Sequence, residues 1–214
     1  MSGKQVCAVF CNIACVKYGS NFFFMSEKLH ENTVYEKLDY TGQTYRFHEF
    51  ISCTFSGCNL TGTDLSDNQF LDCKFENCNL SLAKFKNSKL NNIRFENCKI
   101  TGVDFGLCSE MFLSFTFSGC ILDYANFQER KLRKTWFSQC SMKECDFTGA
   151  DLTQSVFDYC DLSAAIFQQC NLEKADFRTA TYFMIDPERN RLKKAKFSSD
   201  SLAGLLYKYD LEID

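Results

Sequence analysis

Fourteen cysteines and two histidines are the residues of this chain best suited to chemistry. A cysteine can cross-link, hold a metal or attack a substrate, and each use needs a particular neighbour. The spacing supplies none. His30 and His48 have no Ser, Cys or Asp partner at motif distance, and the chain has no glycine-rich phosphate loop, HExxH or CxxC. Instead Cys58, Cys78 and Cys98 recur every 20 residues, and so do Cys120, Cys140 and Cys160 after a step of 22. A column of that kind is a packing pattern. Neighbours one strand apart would place their Cβ atoms about 4.8 Å from each other, beyond the usual disulfide distance of about 3.8 Å. The cysteines are therefore expected to stay reduced and to pack as small hydrophobes, which suits a reducing, cytoplasmic setting. No catalytic residue, cofactor or metal site is expected, and the chain is read as a non-enzyme.

The elements that set this spacing are legible in the apolar residues. From Phe50 to Phe105 every fifth residue is large and apolar, and the rule resumes two residues out of phase from Phe117 to Phe177, giving 25 positions without exception. Two residues before each stands a small one in most pentads, for example Cys58, Thr63, Ala83, Ala125, Ala150 and Ala175. A period of five fits neither a helix nor a flat strand. It fits a chain that turns a corner every five residues, sending one large and one small side chain inward from each side.

The number of sides follows from the 20-residue columns: four pentads make one coil. The column Phe55, Phe75, Phe95, Phe117, Phe137, Phe157, Phe177 is all Phe, and the next, Leu60, Leu80, Ile100, Leu122, Met142, Leu162, has none. The third is Leu65, Phe85, Phe105, Phe127, Phe147, Phe167, and the fourth is mainly Leu (Leu90, Leu132, Leu152, Leu172). Opposite sides match in size, as close packing inside a square tube requires. Gly57, Asn77, Asn97 and Gly119 fall at stacked corners, where positive φ is tolerated.

These residues resemble the pentapeptide-repeat family, whose unit is a small residue, Asp or Asn, Leu or Phe, then two polar residues. Ala150-Asp151-Leu152-Thr153-Gln154, Cys160-Asp161-Leu162-Ser163-Ala164 and Ala175-Asp176-Phe177-Arg178-Thr179 are close copies. The resemblance covers roughly residues 45–200 and implies an all-β solenoid, a right-handed quadrilateral β-helix with a short C-terminal helix. The regular part would be about 31 Å long at one strand spacing per coil.

Four segments follow from this reading. Residues 1–24, with Cys7, Cys11 and Cys15, are an irregular and poorly ordered extension; 25–49 are an N-terminal cap and first coil; 50–180 are the β-helix; 181–214 hold the last pentads and a cap. The unit 108–114 has seven residues where five are expected, either as a simple bulge or as a contact loop if Met111 and Phe112 are exposed. Arg130 falls on a small inward position, where an unpaired charge is costly, so it is expected to distort the coil and turn to solvent. Pro187 interrupts the solenoid, and Leu192, Ala195 and Phe197 read as further pentads. Ser198 to Tyr209 has helical spacing with Ser and Asp as caps, and Leu211 and Ile213 alternate as in a strand.

The surface is where function must lie. The net charge of -3 argues against direct nucleic-acid binding, and no apolar run is long enough for a membrane helix. Outward residues on the third side include Asp64, Asp67, Asp104, Glu129 and Asp146 against Lys84 and Lys86. The fourth side carries Lys89, Lys131, Arg133, Lys134 and Lys174 against Asp72, Asp151 and Glu173. Either is also what an ordinary solvated rod would show. By size, single solenoid and C-terminal helix the chain is most similar to Qnr-type quinolone-resistance members of the family. That resemblance implies a homodimer, joined through the C-terminal end by Leu202, Leu205, Leu206 and Tyr209, that mimics DNA and binds DNA gyrase or topoisomerase IV. The alternative is a scaffold for a different protein partner.

Overall fold

In a computed structural model, which describes residues 28–209 and 211–212, the chain forms a four-sided right-handed parallel solenoid. Most pentads place their large residue mid-side, flanked by outward residues, and turn the corner on a residue of positive φ. Asn77 and Asn97 do so at φ 53° and 52°, stacked on Gly57 at φ 62°. Because the corner recurs every five residues, each coil lies over the last in parallel register.

One side is a seven-stranded sheet: β2 (Val34–Glu36), β4 (Thr54–Ser56), β6 (Lys74–Glu76), β8 (Ile93–Glu96), β9 (Phe115–Ser118), β10 (Trp136–Ser138) and β11 (Val156–Asp158). Another is a four-stranded sheet of β1 (Leu29–Glu31), β3 (Glu49–Ile51), β5 (Gln69–Leu71) and β7 (Lys89–Asn91). The remaining two sides are held by single parallel bridges, such as Asn59 to Asn79 and Asn126 to Asp146.

The interior is the expected file of rings. Phe55, Phe75, Phe95, Phe117, Phe137, Phe157 and Phe177 stack face to face at centroid distances of 4.6 to 5.3 Å. Tyr35 extends this file at one end and Phe197 at the other, at 4.8 and 5.3 Å. The third column stacks likewise, as in Phe127 on Phe147 at 5.2 Å, and meets the first edge to face, the arrangement aromatic quadrupoles favour.

The small inward residues do more than fill space. The hydroxyls of Thr63, Ser88 and Ser155 donate to the carbonyls of Tyr40, Leu65 and Leu132 at 2.7, 2.7 and 2.6 Å. The thiols of Cys58, Cys78 and Cys145 donate in the same way to Tyr35, Phe55 and Leu122 at 3.3, 3.2 and 3.0 Å. Every one of these carbonyls belongs to a large residue of the coil below. This explains Cys, Ser and Thr at positions where Ala would pack equally well. The described cysteines from Cys53 to Cys170 are buried and free, as their spacing implies; Cys7, Cys11 and Cys15 lie outside the described residues.

Arg130 corrects the sequence reading. It does not turn to solvent: it stays inward at 7% exposure. Its guanidinium is satisfied by the seven-residue unit one coil below and by its own corner. Nη1 donates to the Cys108 carbonyl (3.2 Å), Nε to the Gln128 carbonyl (3.1 Å), and Nη2 reaches Glu110 Oε1 (3.5 Å). Phe115, at a position normally small, is also buried and packs on Phe105 at 5.2 Å, filling the interior where Leu113 enters only partly. The four-stranded sheet ends at this unit.

After Thr181 the chain leaves the square path. Tyr182 stays outside, and Phe183 and Ile185 enter the core end. Leu192 and Phe197 resume the columns. The helical segment is shorter than the spacing suggests: α1 (Ala203–Leu206) lies between 3-10 turns at Ser199–Ser201 and Tyr207–Tyr209, without a side-chain cap at the start. Leu211 is not in a strand; Ile213 lies outside the described residues.

Candidate functional site

A rod offers its sides, its interruptions and its ends. On the third side the structure puts Asp64, Asp104 and Asp146 in one row, each just before the large residue of its coil, with Lys84 between the first two and Asn126 between the last two. Asp67 and Glu129 stand on the neighbouring corner, at φ 57° and 59°. The five acids therefore form two parallel lines.

The row is less free than the sequence suggests. Asp64 Oδ1 accepts the Ser66 amide at 3.0 Å, and Asp146 Oδ1 accepts that of Thr148 at 2.8 Å. These are Asx turns that fold each side into its corner. Burial works to raise the Asp146 pKa, but the Thr148 hydroxyl and amide outweigh it and hold the carboxyl below its usual range. Asp67 is paired with Arg46 and accepts from Asn87 Nδ2 at 3.1 Å. Arg46 precedes the regular repeat, so the sequence reading missed this neutralisation; its place 20 residues before Ser66 was the available signal.

Asp104 differs. The 3-10 turn Phe105–Leu107 redirects the Gly106 amide to the Asn126 carbonyl (3.1 Å), and Asp104 Oδ1 is left buried with no hydrogen-bond partner among the described residues. That turn leads into the seven-residue unit. There Met111 and Phe112 are 56% and 69% exposed. The loop's base is held by Arg130.

The C-terminal end is closed by α1. Gly204 sits so close to Phe183 that an added Cβ would lie 2.3 Å from the Phe183 carbonyl oxygen, and the Ile185 amide donates to the Gly204 carbonyl at 3.0 Å. Lys208 ties the segment down through Glu188 (2.7 Å) and Asp186 (2.9 Å), which hold its pKa above the usual lysine range. Leu205 packs against the core, whereas Leu202, Leu206 and Tyr209 are exposed. So the structure divides the four residues between covering the core and facing outward.

Among the described residues, no three or more His, Cys, Asp or Glu side chains are placed to hold a metal ion, and no helix is long and apolar enough to cross a membrane. Burial pushes the Cys108 and Cys145 thiols up, and Cys170 to about 12, so they are not thiolates at neutral pH.

Comparison with known proteins agrees with this geometry. The profile of the pentapeptide repeat region matches residues 48–127, and that of pentapeptide repeats (8 copies) matches 120–158 and 145–181. Among solved structures, full-length QnrB1, described as a plasmid-mediated fluoroquinolone resistance protein, aligns at 22% identity with a TM-score of 0.52, covering 86% of this chain and all of that one. HetL, a pentapeptide repeat protein involved in heterocyst differentiation regulation from the cyanobacterium Nostoc sp., aligns at 14% identity and a TM-score of 0.34, covering 78% of this chain and 87% of its own. No curated protein matches in sequence. With its repeats matched over more than half its length, the chain belongs to the pentapeptide-repeat family.

Proposed function

We propose that this protein is a non-catalytic rod that binds a type II topoisomerase, DNA gyrase or topoisomerase IV, in place of DNA. The observation that carries the reading is the acidic row Asp64, Asp104, Asp146, flanked by Asp67 and Glu129, along one flat side of an unbranched solenoid. Such a row can meet a basic DNA-binding saddle by charge complementarity. The likeness in fold to a fluoroquinolone resistance protein supports the choice of partner. The exposed apolar pair Met111 and Phe112 would add a contact that DNA itself does not make. Leu202, Leu206 and Tyr209 would join two copies through their C-terminal ends, with Leu205 supporting them from beneath. The second reading, a scaffold for another protein, is favoured by the Arg46 pairing that blunts the acidic side.

The test exploits the Asx turns. Asn59 and Asn79 make the same turn as Asp64 and Asp146, with Thr61 and Ser81 amides at 3.3 and 3.1 Å, and Asp104 Oδ1 has no such bond to lose. Asp64→Asn, Asp104→Asn and Asp146→Asn together remove charge while keeping the corner. In a gyrase supercoiling assay with and without ciprofloxacin, the parent protein at micromolar concentration should change the outcome and the triple variant should not, at equal thermal stability. An inert parent protein leaves only the scaffold reading. For the dimer, Leu202→Asp with Leu206→Asp should halve the mass seen by light scattering.

A further inference from the structure

The fourth side turns strongly basic toward its C-terminal half. Bridges align Lys131, Asp151, Asn171 and Arg191 in one row. Lys134, Lys174 and Lys194 share the adjacent corner, at φ 59°, 58° and 61°, and the Lys174 amide donates to the Lys193 carbonyl at 3.0 Å. The sequence reading reached only as far as Lys174; the coil after Asn171 adds Arg191, Lys193 and Lys194. All six cations are exposed, and none is in an ion pair among the described residues.

The nearby acids are already engaged. Asp151 pairs with Arg133 at 2.6 Å, Asp176 with Arg178 and Lys196 at 2.7 and 3.5 Å, and Asp186 and Glu188 with Lys208. The exceptions among the described acids are Glu173 on the face and Glu129 and Asp158 at its edges, none of which has a cation paired to it. The strip covers about 10 by 14 Å, from three residues across and three coil steps along. Just past the corner from Lys134, Trp136 stands outward on β10 at 50% exposure.

We propose that this strip binds single-stranded nucleic acid, with the cations on the phosphate backbone and the Trp136 ring under a base. A net charge of -3 does not decide the matter, because local potential governs a contact of this size. Six free cations beside one exposed indole are the two parts of a sequence-tolerant single-strand site. An acidic peptide would use the cations but not the indole, and a flat face between corners offers nothing that enters a duplex groove. The proposal stands apart from the topoisomerase reading, which uses the third side.

The probe is a fluorescein-labelled oligothymidylate of about 20 nucleotides, read by anisotropy on the full chain. Binding in the micromolar range at about 50 mM salt is expected, with a log–log salt slope of about -3 if roughly four phosphates are neutralised. Lys134→Glu, Lys174→Glu and Lys194→Glu together should weaken binding more than tenfold and flatten the slope. Trp136→Ala should weaken it several-fold and leave the slope unchanged. The Asp64, Asp104 and Asp146 asparagine variants should bind as the parent does, which separates this site from the acidic row. No binding at low salt, indifference to the lysine reversals at unchanged thermal stability, or equal binding of labelled polyglutamate would each overturn the proposal.

Discussion

The guanidinium of Arg130 donates to the carbonyl of Cys108, 22 residues earlier, at 3.2 Å. In the neighbouring coils a backbone amide does this work: Lys89 donates to Asn68, Ser109 to Ser88 and Asp151 to Arg130. Among the described residues no backbone amide reaches the Cys108 carbonyl. The seven-residue unit has pushed the chain off the ladder, and a side chain from the next coil replaces the lost donor. A buried arginine, costly in a regular tube, thereby becomes the clasp that lets the tube carry a loop.

Arg130→Met keeps the volume and removes the donors. It should cost about 1–3 kcal/mol, the usual effect of stranding a buried acceptor, and lower the melting temperature by roughly 3–10 °C for a chain of this size. Hydrogen exchange should quicken first at Ser109, whose amide bonds Ser88 at 3.0 Å. Glu110 is 61% exposed, so Glu110→Gln should change stability little. A Met variant as stable as the parent would show that the clasp is incidental.

Gly204 carries the C-terminal closure. Any Cβ there meets the Phe183 backbone carbonyl, which cannot swing aside as a flexible side chain can. Gly204→Ala should therefore lift α1 from the end of the coil at a cost of about 1–3 kcal/mol, seen as faster exchange at Ile185 with little change in the coils before Thr181. Unaltered exchange at Ile185 would mean that the closure tolerates the methyl group.

The register of the solenoid was readable from residues alone because each pentad repeats one decision: a large side chain in, a polar one out. Where the chain keeps phase, as from Phe117 to Phe177, the columns follow directly. The exceptions have two causes. Tyr35 lies on the Phe file and Tyr40 and Tyr45 against the core, but Tyr in place of Phe or Leu hid their membership. Phe115 and Arg130 are explained only by a partner one coil away, which local spacing does not report. The acidic row could be located but not weighed, since a one-dimensional reading does not show which carboxylates the corners already use.

The cysteine columns make a separate prediction. Since most of these thiols, Cys98 among them, donate weakly to a carbonyl of the coil below, a hydroxyl can take their place, as Ser88 and Ser155 show. Cys98→Ser should cost under about 1 kcal/mol, whereas Cys98→Leu, which adds bulk to a filled file, should cost about 1–3 kcal/mol. Mass-spectrometric labelling with iodoacetamide should leave Cys53 to Cys170 unmodified in the native state and label all of them in denaturant. Rapid native labelling at Cys98 or Cys140 would contradict their place in the core.

The two histidines give the fold a pH dependence. His30 Nε2 and His48 Nδ1 lie 3.0 Å apart, so one proton serves both, and His30 stacks on Phe50 at 4.7 Å. Burial lowers the pKa of each, and for His48 the nearby His30 and Lys28 charges add to the effect. The folded state thus binds protons less readily than the unfolded chain, whose histidines titrate near 6.5. Stability from this source is complete above about pH 6.5 and declines as the pH falls through that value toward the folded ones. Melting temperature should be level from about pH 8 to 7 and fall from about 6.5 to 5.5, above the range where most carboxylates titrate. His48→Gln should make that fall shallower, because one of two depressed groups is gone. A profile equally steep in the variant would place the proton-linked loss elsewhere in the molecule.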